Sequence, residues 1–336
     1  YFDTPDRLLA QHGAALRQRL EGTRWIQTLK AAGKSHLHRF EHNHHLGELE
    51  SSPELDLSIY QAIPEAQQIL TQALGSDAAA LKLTFETDIQ RTYRVIEFED
   101  AEIEVCLDVG VVSAYAREHT IHEEEFELKS GSVQSLLAFS FEWVKKYQLW
   151  LDVRSKAEMG NLLALEQTVS PARFEKEFVL SKKESAAHNL SLLIGQQMQH
   201  LLPNIAAISA GVAEQSHIDQ AQTALEHLQL TLALFKDWNS NISDKWAMQL
   251  AAFKHQFDHL QHLQHMQSTL GAFLQNPTTT ENLAKDILYA QEKLGNLVKS
   301  TQNVHHYLEL LTFSLSSHDQ VQKQDLKSYA HNTLQN

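Results

Sequence analysis

The residues best suited to chemistry lie in Ile121-His122-Glu123-Glu124-Glu125-Phe126-Glu127-Leu128-Lys129-Ser130-Gly131. In an extended strand alternate side chains point to opposite faces, so Glu123, Glu125 and Glu127 form one row. His122, Glu124, Phe126 and Leu128 occupy the other face. Neighbouring carboxylates raise one another's pKa, so such a row persists only if water bathes it, cations match it, or it holds a divalent metal. A solvated sheet edge is the plain alternative.

The elements that would position this row, and the cations to match it, lie on either side in the chain. Tyr1 to Asp6 reads as a strand entering a turn, and the missing leader suggests a further segment upstream. Ala15 to Leu20 places Arg17 and Arg19 on one face, and Trp25 to Lys30 is a strand ending in Lys30. His36 to Leu46 carries Arg39 and Glu41 two apart. Asp56 to Gly75 turns helical and loop-like between Pro53 and Pro64. Strands resume at Leu81 to Phe85, at Gln90 to Phe98 with Arg91, and at Glu102 to Asp108. In the last of these, Glu102, Glu104, Cys106 and Asp108 share one side, and Ile103, Val105 and Leu107 the other. A helix from Val133 to Gln148 follows, then Ser155-Lys156-Ala157.

Short strands that alternate apolar residues with charges of both signs do not fit a sandwich with an apolar inner face. They fit a closed barrel with a polar lumen. Arginines and lysines on one set of strands and glutamates on another ask for a strongly anionic ligand that brings its own divalent cations. A polyphosphate has that chemistry.

Composition bounds the reading. The 336 residues suffice for two domains, and 43% apolar with 21% charged residues is ordinary for a globular chain. No apolar run reaches the length of a membrane span and no signal-like segment opens the sequence, so a cytoplasmic protein without membrane contact is expected. A net charge of −14 argues against nucleic-acid partners. The single cysteine, Cys106, excludes an internal disulfide framework, and its apolar neighbours suggest a buried strand thiol.

Tyr-Phe-Asp-Thr-Pro-Asp, Ala-Leu-Arg-Gln-Arg, Thr-Leu-Lys, Arg-Phe-Glu, Glu-Ile-Glu-Val-Cys-Leu-Asp, Glu-Glu-Glu-Phe-Glu-Leu-Lys-Ser-Gly and Ser-Lys-Ala, in this order, resemble the CYTH domain of the triphosphate tunnel metalloenzymes. The resemblance implies an α+β chain whose eight-stranded antiparallel β-barrel tunnel hydrolyses inorganic triphosphate to pyrophosphate and phosphate with Mg2+ or Mn2+. Residues 1–168 would form this domain. The family's opening Glu-x-Glu-x-Lys strand would precede Tyr1. Arg17, Arg19, Lys30, Arg39, Arg91 and Lys156 match positions that bind the substrate, and Glu102, Glu104, Glu123, Glu125 and Glu127 match those that hold metal. Glu123, Glu125 and Lys30 are the catalytic candidates. Tyr93 stands where relatives often carry a base. Thiamine triphosphatase and adenylate cyclase are alternatives within the enzyme class, and a polyphosphate-binding module without turnover is the alternative outside it.

Past Val169-Ser170-Pro171 the composition changes. Amphipathic helices are expected from Ser185 to Leu202, Ile218 to Phe235, Trp246 to Phe273, Thr280 to Val298 and Val304 to Leu315. The expected breaks fall at Pro203, Asn239 to Ser243, Asn276-Pro277 and Gly295. This all-α bundle, residues 172–336, resembles the CHAD domain, with Ser216 to Leu228 at the place of that family's histidine and paired arginines. Here those arginines read Gln, Glu and His, and no arginine follows Arg173. A scaffold or homodimerisation element is therefore expected. His255, His259 and His262, and His36, His38, His42, His44 and His45, have spacings that could hold a transition metal. No cysteine or acidic partner stands at zinc-like spacing beside either set, which favours solvated surface. Trp238 and Trp246 read as interhelical packing.

Overall fold

A computed structural model describes residues 1–32, 39–177, 180, 183–236, 240–270, 273 and 277–315. The fold is α+β. In chain order the elements are β1 (Phe2–Asp3), α1 (Leu8–Gln11), β2 (Ala14–Glu21), β3 (Arg24–Ala32), β4 (Arg39–Glu48), α2 (Pro64–Leu74), β5 (Lys82–Leu83), β6 (Glu86–Phe98), β7 (Ala101–Ala114), β8 (Arg117–Ser130), α3 (Val133–Tyr147), α4 (Lys156–Ala164), α5 (Ala186–Ser209), α6 (Gln215–Leu234), α7 (Ser240–Leu270), α8 (Pro277–Val298) and α9 (Thr301–Leu315). No helix is long and apolar enough to cross a membrane among the described residues.

Contacts group the chain into two compact units. One is made of Tyr1–Tyr93, Cys106–Glu125 and Arg154–Ser170, the other of Arg94–Val105, Phe126–Val153 and Pro171–Asn336. The expected division at 168/172 follows chain order. α3 buries Leu136 and Phe139 with Ile103 and Ala101 of β7, and Leu137 and Val144 with Val304 and Leu308 of α9.

In the first unit an antiparallel sheet runs in the order β4-β3-β2-β1-β5. Register pairs Leu16 with Leu29 and Ala14 with Ala31, whose face is buried with Ala66, Leu70, Ala73 and Leu74 of α2. α2 starts on Pro64, where the missing N–H costs nothing, and carries Glu65 in its first turn. By alternation the other face of the sheet presents Arg17 and Arg19, Thr28 and Lys30, and Glu41 and Asn43. Each leucine buried in this core contributes about 2 kcal/mol relative to exposure.

The second sheet has the order β6-β7-β8. Its strands are joined at Glu99-Asp100 and Tyr115-Ala116, with Glu99 at φ 51° and Tyr115 at φ 55°, the positive φ that tight hairpins use. β6 and β7 approach closely at Gly110, where a Cβ would lie 2.0 Å from the carbonyl oxygen of Asp88. The expected strand Leu81–Phe85 shrinks to Lys82–Leu83, though backbone pairing to the first strand continues past it: Thr84 donates its N–H to the Tyr1 carbonyl, the Phe85 carbonyl accepts from the Tyr1 nitrogen at 3.0 Å, and the Phe85 ring stacks on that of Tyr1. Five and three strands are present in these two antiparallel sheets, and no closed barrel is formed among the described residues.

In the second unit α5 to α9 bury Leu190, Ile194, Leu201, Leu225, Leu228, Phe253, Phe257 and Leu294 in one core. Two expected breaks, at Pro203 and Gly295, lie inside helices. α5 runs through Pro203 to Ser209, and the Asn204 side-chain amide donates to the His200 carbonyl at 2.8 Å one turn back. Gly295 lies inside α8 with nothing closer to its Cβ position than the Ile208 carbonyl at 3.7 Å. α6 and α7 are separate helices, and residues 240–243 of the expected connection form the first turn of α7. Pro277 opens α8, so the break expected at Asn276-Pro277 falls between α7 and α8. Trp246 is buried edge-on against Phe313. His36, His38, Trp238, Asn239, Asn276 and the side chain of Arg39 lie outside the described residues.

Candidate functional site

Three strands and one helix of the first unit converge on a five-residue cluster. Arg91 on β6 donates from Nε and a terminal nitrogen to both carboxylate oxygens of Asp108 on β7, at 2.7 and 2.6 Å, and reaches Glu125 on β8 at 2.5 Å. Lys156, the first residue of α4, donates to Asp108 at 2.7 Å, to Glu125 at 2.9 Å and to Glu123. Three carboxylates thus meet two cations. The bidentate fork fixes Asp108 in the plane of the guanidinium, the strongest geometry available to this pair.

Local structure explains why Lys156 arrives there. Ser155 caps α4 by accepting from the Glu158 N–H at 3.1 Å, which sets the helix start at residue 156. Gly160, one turn on, lies so close to Phe85 that a Cβ would fall 2.0 Å from the ring, so α4 is seated flush on that side chain. Apolar residues from α4 and the strands, among them Ala157, Leu163, Val112 and Ile121, cluster with Phe85.

Charge balance governs the titration here. Burial alone would push the Asp108 carboxyl up, but hydrogen bonds from Arg91 and Lys156 hold it below the usual carboxylate range. Glu125 behaves alike: burial raises it, and the attraction of Lys156 and Arg91 more than offsets this. Burial works against the charge on Lys156, and Glu125, Asp108 and Glu123 override it, so the ammonium keeps its proton more firmly than a free lysine.

On the first sheet Lys30 pairs with Glu41 at 2.8 Å. Thr28 donates to Asn43 at 2.6 Å, and the Asn43 amide donates to Glu41 at 3.0 Å, so a polar chain crosses three side chains of β3 and β4. Burial raises Glu41, yet the Lys30 ammonium and Asn43 keep it low. Arg19 bonds Glu21 at 2.6 Å, and Arg17 donates to the Tyr1 hydroxyl at 3.1 Å. Burial depresses Arg19, and the nearby charges of Arg17 and Arg91 depress it further, so arginines from both sheets share one field. The Nε atoms of Arg17 and Arg19 are buried with no hydrogen-bond partner. Buried guanidinium nitrogens without acceptors mark a place where an anion would be stabilised.

The expected residues are therefore distributed as follows. Arg91, Glu123, Glu125 and Lys156 come together, joined by Asp108. Arg17, Arg19 and Lys30 share the polar face of the other sheet. Glu104 and Glu127, by contrast, each lie 3.5 Å from Lys129 in the second unit. Glu102 is exposed and makes no ion pair among the described residues. Asp108 was absent from the expected ligands. Its position in the row Glu102, Glu104, Cys106, Asp108 was the available signal. Cys106 is fully buried. His255, His259, His262 and His45 are exposed, while His42 and His44 are partly buried.

Oxygen atoms of Asp108, Glu123 and Glu125 lie within 4.8 Å of one another, the grouping able to hold a metal ion among the described residues. An all-carboxylate set of hard oxygens suits Mg2+ or Mn2+ rather than a soft metal.

Comparison with known proteins agrees with this chemistry. The chain is 34% identical over 191 residues to the inorganic triphosphatase of Haemophilus influenzae, an alignment covering 56% of this chain and 51% of that protein. The chain thus spans about half the length of that relative. Residues 1–160 match the family described as the CYTH domain.

Proposed function

We propose that the first unit binds a linear inorganic triphosphate with Mg2+ or Mn2+ and hydrolyses it to pyrophosphate and phosphate. The two sheets would serve as walls of a charged tunnel. The observation that carries this reading is the pairing of unpartnered Nε atoms on Arg17 and Arg19 with the Asp108, Glu123 and Glu125 cluster. Arg17, Arg19, Arg91 and Lys30 would hold phosphate oxygens and offset charge gathering on them at the transition state. Asp108, Glu123 and Glu125 would hold the metal, which when bound supplies Lewis acidity and an acidified water. Glu125 orients whatever binds between Arg91 and Lys156, since it touches both. The similarity of this chain to an inorganic triphosphatase supports that substrate over thiamine triphosphate or a cyclase substrate. The helical unit, a divergent CHAD-like bundle in this proposal, would act as a scaffold or as a homodimerisation element.

The test is phosphate release from inorganic triphosphate, ATP and thiamine triphosphate, with and without Mg2+ or Mn2+. Metal-dependent release chiefly from inorganic triphosphate is expected. Triphosphate binding without release under any metal would instead establish a binding module.

A further inference from the structure

Asp108, Glu123 and Glu125 are at once the metal-capable group and the acceptors of Lys156. A Mg2+ or Mn2+ ion bonded to carboxylate oxygens at about 2.1 Å would fall where the ammonium now sits, so the two cations exclude each other. Of the cations present, Arg91 is the fixed one, held by a two-point fork to Asp108. Lys156 is a single ammonium on a flexible four-carbon stem. It also occupies the first position of α4, where the positive end of the helix dipole disfavours a cation. Its side chain keeps 12% of its surface exposed.

We propose that Lys156 is a resident counter-cation that gathers Asp108, Glu123 and Glu125 in the metal-free chain and is displaced when a divalent ion enters. The lysine offsets the mutual repulsion of three carboxylates and sets a threshold for metal entry, because its own bonds to all three must be broken before an ion can take its place. Its freed ammonium then swings to the anion that arrives with the ion. Metal loading and substrate contact by Lys156 are thereby coupled. This inference rests on the reading of the cluster as a metal and triphosphate site.

Two measurements on the full chain test it. Mn2+ binding is followed by the electron paramagnetic resonance of the free ion for the wild type and Lys156→Met. Removal of the competitor should tighten binding roughly tenfold. Equal or weaker binding by Lys156→Met, with the wild type binding Mn2+ and releasing phosphate from triphosphate, overturns the counter-cation role and leaves the proposed function standing. Mn2+ binding to neither protein, with no phosphate release, overturns both. Because the variant could lose its fold, the second measurement uses wild type alone: acetylation of Lys156, read by mass spectrometry with exposed Lys82 as reference, should rise severalfold when Mg2+ is added. Unchanged labelling in a protein that binds Mg2+ overturns the displacement.

Discussion

Arg91 meets Asp108 through two parallel hydrogen bonds, at 2.7 and 2.6 Å, and Asp108 has no exposed surface. Asp108→Asn leaves the shape intact but removes the charge that both Arg91 and Lys156 require. Breaking a buried pair costs about 3–5 kcal/mol, and the partly exposed guanidinium reduces this to roughly 2 kcal/mol. Urea denaturation should show that loss with an unchanged slope.

Arg17→Ala and Arg19→Ala should weaken triphosphate binding while leaving the melting temperature nearly unchanged. Neither side chain packs an apolar core, and each removes charge-assisted bonds worth about 1.5–3 kcal/mol, or roughly 10- to 100-fold in Kd. Calorimetric titration with triphosphate checks this. Full affinity in either variant would take that arginine out of the site.

Glu125→Gln should abolish metal-dependent phosphate release while the chain stays folded, because the amide keeps one acceptor for Lys156 or Arg91 but loses the charge. Phosphate release at the wild-type rate would remove Glu125 from the mechanism.

Gly160→Ala tests the seating of α4. The added methyl meets the Phe85 ring, and overpacking of this kind costs about 1–3 kcal/mol. Activity should fall with stability, since Lys156 rides on the same helix. The double variant Gly160→Ala/Phe85→Leu should recover much of both, a coupling that a double-mutant cycle measures.

The helical unit should lose stability in mild acid. Burial lowers the His306 imidazole to about 4, only partly opposed by Glu309 and reinforced by Lys245. A histidine depressed in the folded state contributes stability that is present above its unfolded pKa near 6.5 and is lost as pH falls toward 4. Between pH 7 and pH 5 the loss is roughly 2 kcal/mol. His306→Gln should flatten that part of the stability curve, leaving the smaller share of His200, which burial lowers in the same direction. An unchanged slope would refute the assignment.

Much of this architecture was legible because strands write their faces in alternate letters. Arg17 and Arg19, or Glu123 and Glu125, declare a shared surface without any knowledge of their partners. What escaped was set by distant contacts. Asp108 looks ordinary among Leu107 and Val109, and only the arrival of Arg91 and Lys156 from other elements makes its burial tolerable. Glu104 and Glu127 obey the same alternation, yet Lys129 claims them. The hairpins at Glu99-Asp100 and Tyr115-Ala116 carry no glycine to announce them. Pro203 reads as a stop by local rules, but the buried face of α5 on both sides of it outweighs one missing backbone bond.

Gly110 stands two residues from Asp108, against the backbone of Asp88. Any substituent there would wedge the ribbon open and drag the aspartate away from its arginine, so a saturation library should return a single permitted letter at that codon.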